Sequence, residues 1–233
     1  MTALPIVAVT GFGIAVTVGA YSLSLVARKR YPSPLTTPVL FSTVIIIAIL
    51  LGSGVSFGDY GPAKDIMTFL LGPATVALAL PLYKNRQSFF RNIVPAGCGL
   101  LAGSLGTMVV AGLTARILGF SQVLTASIAI KSTTVPIAVE IARIVHGAPA
   151  LTAIFVVITG MLGASLGPWL MNRARITHPI SRGLALGTIS HGQGTAEAVV
   201  EGQLSGAVAG AAMALGAVCT SLAGPYLVPL LAG

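Results

Sequence analysis

Apolar runs recur along this 233-residue chain. Each is near the roughly 20 residues that a helix needs to cross a bilayer. Eight segments are recognisable: roughly 5–27, 36–57, 64–83, 92–118, 121–146, 150–171, a seventh entered after Arg182, and 204–231. Hydrophobic residues make up 55% of the chain and charged residues 8%, with a mean hydropathy of +0.95. So little polar surface cannot coat a soluble globule, so the expectation is an all-α polytopic membrane protein. The net charge of +8 would suggest nucleic acid in a soluble protein. Here most lysines and arginines stand in short linkers between apolar runs, where they act as topological anchors, and nucleic acid is set aside. The first run has no basic residue before it and is followed by Arg28-Lys29-Arg30, which reads as a span rather than a cleavable signal. Cys98 and Cys219 lie far apart in apolar segments and make neither a disulfide framework nor a metal site. No long polar linker divides the chain, so residues 1–233 read as one integral domain.

Two stretches break the apolar pattern. The first is Ser190-His191-Gly192-Gln193-Gly194-Thr195-Ala196-Glu197-Ala198-Val199-Val200-Glu201. On a continuous helix Ser190, Gly194, Glu197 and Glu201 share a face, with His191 and Thr195 beside it. Glycines there let another group approach the backbone, and broken backbone at Gly192–Gly194, as at Gly72-Pro73, would offer free N–H groups to an anion. Polar atoms and bare backbone at membrane depth are tolerated only inside protein or beside a wet cavity, which marks a substrate or ion site. The competing reading has Glu197 and Glu201 capping the water end of a span while the glycines serve helix packing.

The second is Ile130-Lys131-Ser132-Thr133-Thr134-Val135-Pro136 in the fifth segment. On a continuous helix Lys131 would lie about 15 Å from the segment's start, near the bilayer centre, where an unpaired charge costs a few kcal/mol. A lysine there either binds something or pairs with a carboxylate, Glu197 or Glu140. Glu140 and Arg143 have the spacing of a local pair. His146 and His178 read as loop residues, and Trp169, before Arg173 and Arg175, as an interfacial anchor.

Elsewhere the chain is punctuated by prolines and glycines. Tyr31 to Pro38 is a proline-dense entry that cannot be ordinary helix. Gly58-Asp59-Tyr60-Gly61-Pro62 reads as a turn, and Leu71-Gly72-Pro73-Ala74-Thr75 as a break in mid-span. Gly99, Gly103 and Gly106 allow close helix packing. Thr36-Thr37-Pro38 echoes Thr133-Thr134-Val135-Pro136, and Leu71-Gly72-Pro73 echoes Leu166-Gly167-Pro168, at offsets near 95 residues. If every segment spans once, that offset covers an odd number of crossings and the copies are inverted, as in secondary transporters. Charge counting disagrees with eight crossings. With Arg28-Lys29-Arg30 and Lys84/Arg86/Arg91 inside, Arg173, Arg175 and Arg182 would fall outside. A re-entrant fifth segment, turning near Thr133–Pro136, removes that conflict but breaks the repeat. Both arrangements stay open at this point.

Tyr31-Pro32-Ser33-Pro34-Leu35-Thr36-Thr37-Pro38, Leu70-Leu71-Gly72-Pro73-Ala74-Thr75-Val76-Ala77-Leu78-Ala79, Lys131-Ser132-Thr133-Thr134-Val135-Pro136-Ile137-Ala138 and Ser190-His191-Gly192-Gln193-Gly194-Thr195-Ala196 resemble the LrgB/CidB family, from about residue 20 onward. The resemblance implies either transport of small carboxylates, as in the LrgB-like part of the plastid glycolate/glycerate translocator, or control of murein hydrolases and lysis beside a holin-like LrgA/CidA-type partner. In the family pattern the position of Glu197 often carries arginine, so this chain reverses a charge there.

The expectation is a multi-pass protein of a bacterial inner membrane: a secondary transporter of glycolate-, glycerate- or pyruvate-like acids, proton- or cation-coupled. Lys131, Ser132, Thr133, Thr134, Gly72, Thr75, Ser190, His191, Gly192, Gly194 and Thr195 are its candidate substrate contacts, and Glu197 or His191 its coupling group. No cofactor or metal is expected, a homo-oligomer is compatible, and enzymatic activity is set aside because no metal-ligand pair, nucleophile elbow or phosphate loop stands in the sequence.

Overall fold

The computed structural model describes residues 6–84 and 86–233, without the side chains of residues 71, 75, 88 and 89. Helices α1 (Ile6–Arg30), α2 (Pro38–Ser53) and α3 (Phe57–Ala77) are followed by short α4 (Ala79–Lys84) and α5 (Arg86–Arg91). Then come α6 (Ile93–Ile117), α7 (Gln122–Ala129), α8 (Val135–Ile144), α9 (Pro149–Arg173), α10 (Pro179–Glu201) and α11 (Gln203–Ala232). Among the described residues, five stretches are long and apolar enough to span a bilayer: Ile6–Arg30, Phe57–Lys84, Ile93–Ile117, Pro149–Arg173 and Gln203–Ala232. The protein is an all-α, multi-pass membrane protein. It forms two compact units, one up to Ala79 and one from Leu80 on.

In the first unit α1 packs on α2 and α3. Gly13 of α1 gives Ala63 and Tyr60 room to approach, and the Thr17 and Tyr60 hydroxyls share a hydrogen bond of 2.8 Å. The proline-dense entry is a 3-10 turn, Pro34–Thr36, held by Ser33 and Thr36, as its composition predicts. Two expected breaks do not occur. The turn assigned to Gly58–Pro62 falls earlier, at Gly54 (φ 68°), because Asp59 turns back to accept from the Ser56 N–H and hydroxyl and so starts α3 inside that stretch. Helix α3 also continues through Gly72-Pro73 to Ala77. A proline deletes one helical hydrogen bond, which membrane helices tolerate by local adjustment.

The second unit contains two helical hairpins. The fifth segment breaks at residues 130–134 into α7 and α8, of 8 and 10 residues. The Ala148 N–H donates to Ser127 Oγ at 2.8 Å. On a continuous helix those residues would stand about 30 Å apart, so the chain turns back at Ile130–Thr134 and leaves on the side it entered. Of the two arrangements the sequence left open, this is the re-entrant one.

The seventh segment does the same. His191 (φ 41°, ψ −126°) interrupts α10. Gly194 abuts the Leu186 carbonyl, and Glu201 is ion-paired to Arg182, so Gly192–Glu201 runs back along Pro179–Ser190. The expected single helical face is therefore corrected: Ser190 belongs to the first arm, and Gly194, Glu197 and Glu201 to the second. Arms of these lengths reach about 15–18 Å, half of a hydrocarbon core about 30 Å thick.

The hairpins enter from opposite ends of the unit. Gly99 and Gly103 of α6 meet Leu184 and Thr188, so the first arm of α10 runs parallel to α6. Gly163 and Gly167 of α9 meet Ser190 and Leu186 in the reverse order, so α9 runs antiparallel to that arm. The α7–α8 hairpin descends from the C-terminal end of α6 after the left-handed turn at Gly119 (φ 73°). Helix α11 carries both: Ala209 lies against Gly187, and Gly224 against Ile141 and Ile130. The α7–α8 hairpin is sealed by a core of Met108, Ala126, Ala129, Ile130, Ile141, Ala142, Val145 and Val228.

Candidate functional site

The hairpin tips meet halfway along α6 and α9. Ile130 ends α7, and the extended Thr134 (φ −73°, ψ 146°) starts α8 without a side-chain cap. The first bond of α8 runs from the Ala138 N–H to the Thr134 carbonyl, so the Val135 and Ile137 N–H groups precede any intrahelical acceptor, and Pro136 between them has no N–H. Ser132 and Thr133 are buried, and Thr133 Oγ1 has no hydrogen-bond partner in the structure. Lys131 Nζ donates to Ser132 Oγ at 3.2 Å. Among the described residues no carboxylate lies within ion-pair distance of Lys131. Neither internal pairing weighed for it is present. Glu140 instead holds Arg143 at 2.6 Å on the surface.

The α10 tip is built around His191. A side chain at φ 41° is strained, at a cost of about 1–3 kcal/mol. Two bonds hold it there: Nε2 lies 3.1 Å from the Val156 carbonyl of α9, and Thr195 Oγ1 donates 2.8 Å to the His191 carbonyl. A carbonyl only accepts, so Nε2 carries the hydrogen, and in the neutral ring Nδ1 is the acceptor. Gly160 and Gly163 of α9 make room for His191, Gln193 and Ser190, where any Cβ would collide. Thr188 Oγ1, Gln193 Oε1 and Ser104 Oγ are buried and without partners nearby on the chain.

Lys131 borders two cavities, one of about 520 Å³ against α6 and one of about 490 Å³ against α9 and the first arm of α10. Ser190 lines the second. The structure thus gathers Lys131, Ser132, Thr133 and Thr134 on one tip and Ser190, His191, Gly192 and Thr195 on the other. Gly194 serves packing between the α10 arms. Glu197 is buried on the second arm, between Gly194 and Glu201, and lines neither cavity. Gly72 lies on α3 in the first unit, with open space where a Cβ would be, and the Thr75 side chain lies outside the described residues. His146 and His178 are exposed, and Trp169 is 53% exposed near the end of α9.

Three parts of the site go beyond the sequence expectations. Arg182 Nε and Nη2 donate to Glu201 at 2.8 and 2.5 Å, clamping the base of the α10 hairpin. Arg182 Nη1 also reaches Asn172 Oδ1 and the Ile176 carbonyl. The glycine groove of α9 was visible as Gly160, Gly163 and Gly167. Ile189, which borders both cavities, carries no signal in the sequence.

Two half-depth hairpins inserted from opposite ends, with a lysine where their tips meet, place this protein among multi-pass membrane proteins built around re-entrant helices. The chain belongs to the LrgB-like family, which it matches over residues 17–230. It is 38% identical to protein YxaC of Bacillus subtilis, over 92% of this chain and 94% of that one. It is 34% identical to YwbG of the same organism, over 85% and 88%. It is 31% identical to the holin-like protein CidB of Staphylococcus aureus, over 93% and 95%. No solved structure matches the chain.

Proposed function

We propose that this protein is a secondary transporter of small organic acids of the glycolate, glycerate or pyruvate type, coupled to a proton or cation. One observation carries the reading: the Lys131 ammonium stands at mid-depth without a carboxylate, bordering two cavities. A charge in that position is costly unless a ligand completes it. The arms α8 and Gly192–Glu201 both begin at the tips, so two helix N-termini, each equivalent to roughly half a positive charge, add to the lysine's field. A carboxylate drawn to Lys131 from either cavity would also meet the positive end of α8, which begins four residues further on. The helix-plus-hairpin pairs α6–α8 and α9–α10 run in opposite senses, which supports an inverted-repeat architecture different from the offset of 95 residues read in the sequence.

The coupling role falls to His191 before Glu197, because His191 sits on the tip directly after Ser190, which lines the second cavity, whereas Glu197 lies further along the second arm. Uptake of labelled glycolate, glycerate and pyruvate into proteoliposomes tests the function. The staphylococcal relative's name, holin-like, favours a second reading, in which the protein acts with a small membrane partner and moves no solute. Absence of uptake for all three acids, with the protein folded, would favour that alternative.

A further inference from the structure

We infer that Ile189 is the barrier residue between two half-paths that reach Lys131 from opposite faces of the membrane. This rests on the transport reading for its purpose, but not for its geometry. The first cavity follows α6 from Gly103 to Leu118 and Phe120, towards the end where the α7–α8 hairpin enters. The second follows α9 from Thr159 to Met171, towards the end where the α10 hairpin enters. Because α6 and α9 are antiparallel, these courses diverge towards opposite ends of the unit. Lys131 and Ile189 are the two residues bordering both cavities.

Their chemistry divides the work. Among the described residues Lys131 is the one charged residue lining either cavity, and weakly polar walls focus its field outward along both. It attracts an anion from each side and so cannot by itself keep the sides apart. Ile189 can. It stands one residue before the end of the first arm of α10, two before the strained His191, and its branched side chain is half-buried where the cavities come together. A β-branched residue has few rotamers and is a poor candidate to swing aside on its own. Passage therefore requires the α10 tip to move as a unit off the glycines of α9, and the barrier opens only with that movement.

Thiol accessibility tests this without requiring transport. In a background with Cys98 and Cys219 replaced by serine, single cysteines are placed at Thr107 in the first cavity and Thr159 in the second. A membrane-impermeant methanethiosulfonate is then applied from either face of sealed proteoliposomes. Thr107→Cys should react from the α7–α8 face and Thr159→Cys from the α10 face. Adding Ile189→Ala should raise each far-face rate about tenfold or more, equivalent to a barrier lower by about 1.4 kcal/mol. Reaction of either cysteine from both faces with Ile189 in place, or from neither, overturns the inference. So does unchanged sidedness in Ile189→Ala. If that variant does not fold, Ile189→Val carries the test, and an unchanged far-face rate there overturns it. Sided labelling in a protein that moves none of the three acids would sink the transport reading and leave the partition standing.

Discussion

Lys131 is the residue on which the site turns, and its surroundings separate two roles that sequence could not. An internally paired lysine would be lost to folding; one bonded only to Ser132 Oγ is available to a ligand. Lys131→Ala should therefore weaken acid binding by tenfold to a hundredfold, about 1.5–3 kcal/mol for a charged hydrogen bond, with little change in thermal stability in detergent. Isothermal titration against glycolate and a melting curve on the same sample check both halves. Lys131→Arg should retain part of the binding, since charge survives while shape and hydration change. The histidine makes a sharper claim. His191→Gln keeps a donor towards the Val156 carbonyl but cannot take up a proton. It should abolish accumulation driven by a pH gradient while sparing exchange at equal pH. Glu197→Gln, on a residue away from both cavities, should leave gradient-driven accumulation intact; if it does not, Glu197 carries the proton.

At the level of elements, the two hairpins are held by different means. The α7–α8 hairpin is sealed by apolar packing, whereas the α10 hairpin rests on glycines and the Arg182–Glu201 clamp, each partner 12% exposed. Removing one partner of a buried pair strands the other, at about 3–5 kcal/mol. Arg182→Ala should lower stability by about 3 kcal/mol, the low end of that range because the pair keeps some solvent, and Arg182→Glu with Glu201→Arg should recover part of it in thermal unfolding. Gly163→Ala drives a methyl into Ser190 and should cost about 1–3 kcal/mol while displacing the tip. These features show how far the sequence could be read. The break after Ile130 was legible because a lysine, three hydroxyl residues and a proline interrupt an apolar run. The break beside His191 was legible in part, since Gly192 and Gly194 signal broken backbone, but the 190–201 stretch keeps helical spacing, and the fold-back at His191 (φ 41°) depends on a tertiary bond to Val156 and a local one from Thr195. Gly72-Pro73 misled in the other direction, since local composition signals a break that the helix absorbs.

For the molecule as a whole, the hairpins settle the conflict in the distribution of charge. With neither the fifth nor the seventh segment crossing, the second unit crosses with α6, α9 and α11 alone. Lys84, Arg86 and Arg91 precede α6, Arg173 and Arg175 follow the start of the last turn of α9, and Arg182 stands at the base of the α10 hairpin. Because α6 and α9 are antiparallel, all six belong to one end of the unit, against Arg116 and Arg143 at the other. The positive-inside rule then puts the six in the cytoplasm. Single cysteines at Gln87 and His178 should be modified by an impermeant reagent only after the cells are opened, whereas cysteines at Ser121 and His146 should react in intact cells. Eight full crossings predict a different pattern, with His178 reactive in intact cells and Gln87 not. Opposite sidedness of those two positions would therefore remove one of the hairpins, and with it the meeting of tips on which Lys131 depends.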